Sequence, residues 1–324
     1  MKEQGSIEEN FDFSKYGFRH INKAVLESIY VVNKHKKGQV EYLPTKWKKL
    51  NSNLLGGLQK GKLYVVAGRP GSGKSAFSNQ LVFDMMDMNL GKDIVVLYWN
   101  FEMPSYQQVL RMISKNVSKS MNQLLSVDTT LADQDFIAFT KAVQRYKDYP
   151  VYFNDIPRSI DFIKLTNEKF YKSNPKTTIV NIYDHTRLVR SNKAGKELER
   201  LTELSHTCME LQAKYKVINI LLSQLNRNIE KDERRATLFQ PMLSDLFGSD
   251  SIGQDAHVVM MINRPRDIYD IKEPYLGEDT KNLLALHIEK NRDGRLGMLP
   301  FDANMKYFDI KERINETEQI DLFK

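Results

Sequence analysis

Cys208 is the only cysteine in the 324-residue chain. One thiol excludes an internal disulfide, and no CxxC pair exists to hold a metal. That usage fits a reducing compartment, and the cytoplasm is the expected location. Cys208 lies in a helical, partly apolar stretch and reads as a packed residue rather than a nucleophile. No apolar run approaches the ~20 residues that span a bilayer, so no membrane partner is expected. The opening MKEQGSIEENFDF is polar and acidic, without the apolar segment of a signal peptide. Internal repeats, low-complexity tracts and long single-sign tails are also missing.

What is present suits one α/β domain with an attached segment. Apolar residues make up 41% of the chain, enough for a core, and charged residues 27%. The net charge of +7 suits a polyanion such as nucleic acid, although a merely basic soluble protein would carry it equally well. Residues 1–10 read as a disordered tail. From Phe11 to about Lys34, Phe18, Ile21, Val25, Ile29 and Val32 recur at helical spacing. The polar NKHKKGQ that follows reads as a tether. An amphipathic helix on a tether needs a surface to cover, on its own domain or on a neighbouring subunit.

From residue 41 onward strands and helices alternate. Strands are expected at 62–68, 93–100, 151–155, 177–184 and 217–224. Helices are expected at 74–88, 105–117, 131–147, 159–173 and 195–216. This alternation predicts a mostly parallel sheet with helices on both faces. Strand-like runs at 257–263, 283–290 and 298–309 have no helices between them, so that edge should be antiparallel. A polar loop is expected at 226–242.

GRPGSGKS, residues 68–75, satisfies G-x-x-x-x-G-K-[ST] in full. It lies between an apolar strand and a helix, as a phosphate-binding loop requires. Across Gly68, Arg69, Pro70, Gly71, Ser72 and Gly73 the glycines let backbone N–H groups turn inward and cradle phosphate oxygens. Lys74 would reach the β- and γ-phosphates of ATP, and Ser75 would hold Mg²⁺. The helix that follows adds its positive N-terminal end. Asp184 ends its strand at the edge where ligands bind in such sheets, and is the candidate for a second Mg²⁺-side carboxylate. An ordinary strand-terminating, helix-capping aspartate would look the same. Glu102, just past another strand end, can orient an attacking water. On spacing alone it could be a plain first-turn glutamate. LLSQLNR delivers Gln224 to the same edge, where an amide can sense a γ-phosphate.

Taken in order, GRPGSGKSAF, NFEMP, the Asp184 strand, LLSQLNRNIE, MLSDLFGSDSIGQDAHVVMMI and IEKNRDGRLG resemble the motor domain of the DnaB family of replicative helicases, within the RecA-like ATPases. The resemblance covers about residues 42–310. It implies a RecA-like P-loop core preceded by a linker helix (11–40), with the motor at 41–324. It implies a hexameric ring that moves 5′ to 3′ on single-stranded DNA. It assigns Glu102 as catalytic glutamate, Asp184 as the Walker B acid and Gln224 as γ-phosphate sensor. It makes Lys290 and Arg292 a paired finger that reaches the neighbouring subunit's ATP.

Three departures bear on partners. Little precedes the linker helix, so primase contact is expected to be absent or supplied by another protein; a loader is a further expected partner. After SDL, the family's Arg-Glu-Gly is replaced by Phe247, Gly248, Ser249 and Asp250. Backbone N–H groups there can still hold phosphates, and Phe247 can stack on a base. YDHTRLVR brings Arg187 and Arg190, and NRNIEKDERRA brings Arg227, Lys231, Arg234 and Arg235, as replacement cations for DNA. Glu230, Asp232 and Glu233 offset part of the second group, so a solvated, charge-balanced loop is the competing reading. Two other functions share the motifs: a RecA-like filament-forming ATPase, and a nucleotide-binding replisome assembly factor that unwinds nothing.

Overall fold

A computed structural model of the chain describes residues 15, 17–39, 41–127, 131–193 and 195–313. The tail expected at 1–10 lies outside the described residues. The chain divides into two units at residues 41 and 42. The first contains helix α1 (Ile21–Lys36), which His20 caps by accepting from the Asn22 N–H at 3.2 Å. The helix begins later than the apolar spacing predicts and runs through half of the expected tether. His20 sets the start, and Lys34, His35 and Lys36 in the last turn suit the negative C-terminal end.

The second unit is built on one nine-stranded sheet. It opens with β1 (Tyr42–Leu43), α2 (Lys48–Asn53) and β2 (Leu58–Gln59), where β1 and β2 form a small separate antiparallel sheet. Then come β3 (Leu63–Gly68), α3 (Lys74–Met88), β4 (Ile94–Asn100), α4 (Ser105–Val117), α5 (Met121–Leu125), α6 (Asp133–Tyr146) and β5 (Val151–Asn154). After these come α7 (Ile160–Ser173), β6 (Thr178–Asp184), α8 (Glu197–Tyr215) and β7 (Ile218–Gln224). The chain closes with β8 (Val258–Asn263), α9 (Pro265–Tyr269), β9 (Leu283–Asn291), β10 (Gly297–Asn304) and β11 (Asp309–Glu312).

The strand order is β11-β10-β9-β8-β3-β7-β6-β4-β5. The six strands from β8 to β5 are parallel, and β9, β10 and β11 add antiparallel. The strand expected at 298–309 is two strands, because the chain turns back at Met305–Phe308. Asn304, Lys306 and a positive φ at Phe308 form that turn. The expected loop at 226–242 contains two short 3₁₀ turns.

Every residue of β3, β6 and β8 is buried, as a parallel sheet covered on both faces requires. The two-residue period splits these strands between two cores. Tyr64, Val66, Val180 and Ile182 face α3 and α4. Leu63, Val65, Ala67 and Tyr183 face α7 and α8, where Cys208 is fully buried. Burial pushes its thiol up to about 12, so it behaves as the packed residue the sequence implies. Parallel connections place the C-terminal ends of β3, β7, β6 and β4 along one edge. Gly68, Gln224, Asp184 and Asn100 end those four strands.

Candidate nucleotide site and nucleic-acid interface

The phosphate loop follows β3 directly. Gly71 and Gly73 take positive φ, which a side chain would resist. A Cβ on Gly68 would fall 2.3 Å from the Ser72 Oγ, so the first glycine is required by close packing inside the loop. Ser72 is fully buried and its Oγ has no hydrogen-bond partner among the described residues. Lys74 curls over the loop, donating to the carbonyls of Gly68 (3.0 Å) and Arg69 (3.1 Å). Burial lowers its pKa to about 8, against the pull of Asp184 and Glu102. Arg69 turns away from the cradle and pairs with Glu230 at 2.6 Å.

Asp184 is 1% exposed. Its Oδ1 accepts from the Ser75 hydroxyl at 3.2 Å and its Oδ2 from the Gln108 amide at 3.0 Å. Burial, helped by the charge of Glu102, raises its pKa to about 6. A hydroxyl and a buried carboxylate that lacks a full counter-charge form a donor set suited to a hard cation such as Mg²⁺. Glu102 stands at the mouth of the site, with its side chain 48% exposed and 3.9 Å from the His185 ring.

The raised pKa of Asp184 predicts a pH effect in nucleotide-free protein. The folded chain holds this proton more tightly than the unfolded chain, whose carboxyl titrates near 3.8. The stabilisation is therefore full below 3.8 and is lost as pH rises through about 6. Asp184→Asn removes the cost of the buried charge. The variant should melt above the parent protein in EDTA, and the gap should narrow by roughly half between about pH 7.5 and about pH 5. A gap that stays constant over that window would contradict the assignment.

Gln224 joins this site to the loops beyond it. Its side-chain oxygen accepts from Arg187 at 3.1 Å, and its backbone oxygen accepts from the Phe247 N–H at 3.0 Å. Arg187 lies over the Phe247 ring, 5.5 Å from its centroid, and is anchored by Glu197. Gly248 takes a positive φ, and Ser249 begins one π-helical turn running to Gly253. Arg190, Arg227, Lys231 and Arg235 are exposed. Arg234 is engaged within the protein. It donates to both oxygens of the buried Asp245 at 2.9 and 3.0 Å, so its charge is spent inside the protein.

Lys290 and Arg292 lie at the opposite edge of the sheet. Lys290 pairs with Val259, and the Arg292 N–H donates to the His257 carbonyl, whereas Gly68 pairs with Ile262. Five residues of strand separate Arg292 from the level of Gly68, about 17 Å at the usual rise. Neither cation can meet its own phosphate loop. They instead share one side of β9's end and donate to backbone carbonyls. Lys290 reaches Gly253 (2.8 Å) and Gln254 (2.7 Å), and Arg292 reaches Gln254 (2.8 Å). These carbonyls close the turn that starts at Ser249, so their partial negative charge offsets the repulsion between the two cations.

Five residues near the site escaped sequence reading: Asn100, Gln108, Arg111, Asp155 and Arg264. Gln108 and Arg111 are three apart on α4, a spacing that puts them on one helix face. Arg111 lies over Phe308, 5.1 Å from its centroid, within the field of Asp184 and Glu102. In the same turn, Met305 packs on Gly73. Arg264 approaches the Gly71 carbonyl at 3.4 Å while paired with Asp267.

Comparison with known proteins identifies the family. Residues 42–312 match the family described as the DnaB-like helicase C-terminal domain. The replicative DNA helicase DnaB of Helicobacter pylori is 32% identical over 255 residues, 76% of this chain and 49% of that protein. The replicative DNA helicase DnaB of Mycoplasma pneumoniae is 31% identical over 276 residues, 80% of this chain and 55% of that protein. A DnaB-like replicative helicase, solved in a study of its interactions with primase, superposes with a TM-score of 0.77 at 21% identity, covering 92% of this chain and 68% of that one. The chain spans about half the length of the curated relatives it matches. Among the described residues no helix is long and apolar enough to cross a membrane.

Proposed function

Because this chain belongs to the DnaB-like helicase C-terminal domain family, we propose that it is an ATP-driven, ring-forming translocase that unwinds DNA during replication. The observation that carries the reading is Gln224. One residue touches Arg187 through its side chain and Phe247 through its backbone, at the same strand edge as Asp184 and the phosphate loop. The candidate phosphate loop and the candidate DNA surface therefore share one connected cluster.

In this reading the loop of residues 68–73 wraps the phosphates and Lys74 neutralises the β- and γ-oxygens. Ser75 and Asp184 would hold Mg²⁺, which would supply positive charge at the reacting phosphoryl group. Glu102 orients the attacking water and accepts its proton. Gln224 reports the γ-phosphate to Arg187 and Phe247. Lys290 and Arg292 act on a neighbour's nucleotide, because the sheet holds them away from their own. That placement makes a closed homo-oligomer, a hexamer, part of the proposal. Arg187, Arg190, Arg227, Lys231 and Arg235, with Phe247 and the backbone of Gly248 and Ser249, are the proposed contacts to single-stranded DNA. Arg234 is left out. Primase or a loader are the proposed protein partners, and the cytoplasm the proposed location.

The test is ATP turnover with and without single-stranded DNA, together with unwinding of a forked duplex. Turnover should rise with DNA. Affinity should fall steeply with salt, with a log–log slope near about −0.7 per phosphate contact on single strands. Turnover that ignores DNA, or binding that ignores salt, would remove the helicase reading. An open filament instead of a sixfold ring in electron micrographs would favour the filament-forming alternative.

A further inference from the structure

Glu102 presents a problem of position. Its carboxylate is half-exposed, and no hydrogen bond to it is found among the described residues; His185 is 3.9 Å away. A side chain that must hold a water against a phosphoryl group needs a fixed origin, since a misplacement of about 1 Å can cost a hundredfold in rate. The origin here is the turn 101–104, between the end of β4 and the start of α4.

That turn is tied down from behind. The Phe101 N–H donates to the Asp184 carbonyl at 2.8 Å, joining the ends of β4 and β6. Asn100, fully buried at the end of β4, donates to the Met103 carbonyl across the turn and to Asp155 Oδ1 at 3.0 Å. The other oxygen of Asp155 accepts from the Ser105 N–H at 3.0 Å. Ser105 is the first residue of α4, and Pro104 before it offers no side-chain cap. A carboxylate just past the end of the neighbouring strand β5 thus caps the helix and sits at its positive end.

The chain of contacts then reaches the second acid. The Gln108 amide donates to Asn100 Oδ1 at 3.2 Å and to Asp184 Oδ2 at 3.0 Å. Gln108 is 0% exposed, its backbone carbonyl is held by Asn79 at 2.7 Å, and its Oε1 has no partner among the described residues. Asp155, Asn100, Gln108 and Asp184 thus form one line across β5, β4 and β6 through α4.

We propose that Asp155, Asn100 and Gln108 are positioning residues for ATP hydrolysis, which fix the turn carrying Glu102 relative to the carboxylate of Asp184. This rests on the hydrolytic roles given above to Glu102 and Asp184. None of the three lies in the phosphate loop of residues 68–75. Asp155 acts from just past the end of β5, the outermost strand of the sheet, on the far side of β4 from Asp184. Removing the line should leave ATP bound and the chain folded while turnover drops.

Asp155→Ala is the decisive variant, because the side chain is exposed and its loss opens no core cavity. Turnover should fall at least about tenfold, with KM and the Kd of a fluorescent ATP analogue in EDTA changed by less than about twofold. Amide hydrogen exchange of residues 101–106 should quicken, a change independent of turnover. Asp155→Asn keeps one acceptor oxygen and should recover part of the rate. Gln108→Leu should fall in the same way, and should also shrink the gain in analogue affinity that Mg²⁺ produces. The parent protein is measured first: if it hydrolyses no ATP, the functional reading fails before the variants are tested. If it does hydrolyse ATP, and Asp155→Ala keeps parental turnover or loses turnover and EDTA binding equally, the positioning role is refuted and the hydrolytic reading stands.

Discussion

Replacing Glu102 with glutamine should lower ATP turnover by about 10²- to 10⁴-fold while nucleotide binding persists. Glutamine matches glutamate in shape, so the turn at 101–104 and its ties to Asn100 and Asp184 remain. What disappears is the charge that accepts a proton from the attacking water. Binding is served by other groups, the loop N–H groups and Lys74. The electrostatics favour retention further. Glu102 raises the pKa of Asp184, so its neutralisation lets Asp184 ionise more readily. Affinity for the magnesium nucleotide should therefore hold or increase. Equilibrium binding of a fluorescent ATP analogue and steady-state phosphate release separate the two effects. If phosphate release stays within about threefold of the parent, Glu102 is not the water-orienting residue.

The parts legible in the sequence were those whose meaning is local. GRPGSGKS carries its own geometry, because the glycines that allow the turn and the lysine that reaches phosphate are contiguous. Asp184 and Gln224 could be placed because an apolar strand announces where it ends. Contacts across the sheet were illegible. Asp155 and Asn100 are 55 residues apart and Gln108 and Asp184 are 76 apart, and only the β5-β4-β6 order brings them together. The place of Arg234 was illegible for a related reason. In NRNIEKDERRA it looks like its neighbours, and only the fold directs Asp245 to it. The run at 298–309 reads as one strand because Met305, Tyr307 and Phe308 carry on its apolar pattern; the turn there is closed by the Tyr307 N–H donating to the Asn304 carbonyl and by a positive φ at Phe308.

The finger pair leads to a prediction about assembly. Arg292→Ala should abolish most turnover, by about 10³-fold or more if it serves as an arginine finger, while each subunit still binds ATP. Lys74→Ala should be inactive because its own phosphate loop is impaired. Neither defect repairs the other within one chain, since the sheet keeps Arg292 about 17 Å from the level of Gly68. In a mixed ring, however, some interfaces pair an intact phosphate loop on one subunit with an intact finger on the next. Mixing the two inactive proteins should therefore restore a fraction of parental turnover. The fraction should be greatest near equal proportions and vanish toward either pure variant. For the finger to act, Lys290 and Arg292 must leave the Gly253 and Gln254 carbonyls, or share them with the neighbour's phosphate. Those carbonyls close the turn that begins at Ser249, so DNA on that segment should change how readily the finger moves. Restored activity in the mixture should accordingly be larger with single-stranded DNA than without it. Mixtures that stay inactive at every ratio, although native mass spectrometry shows mixed rings, would reject action across the subunit boundary and return the pair to a solvated strand end.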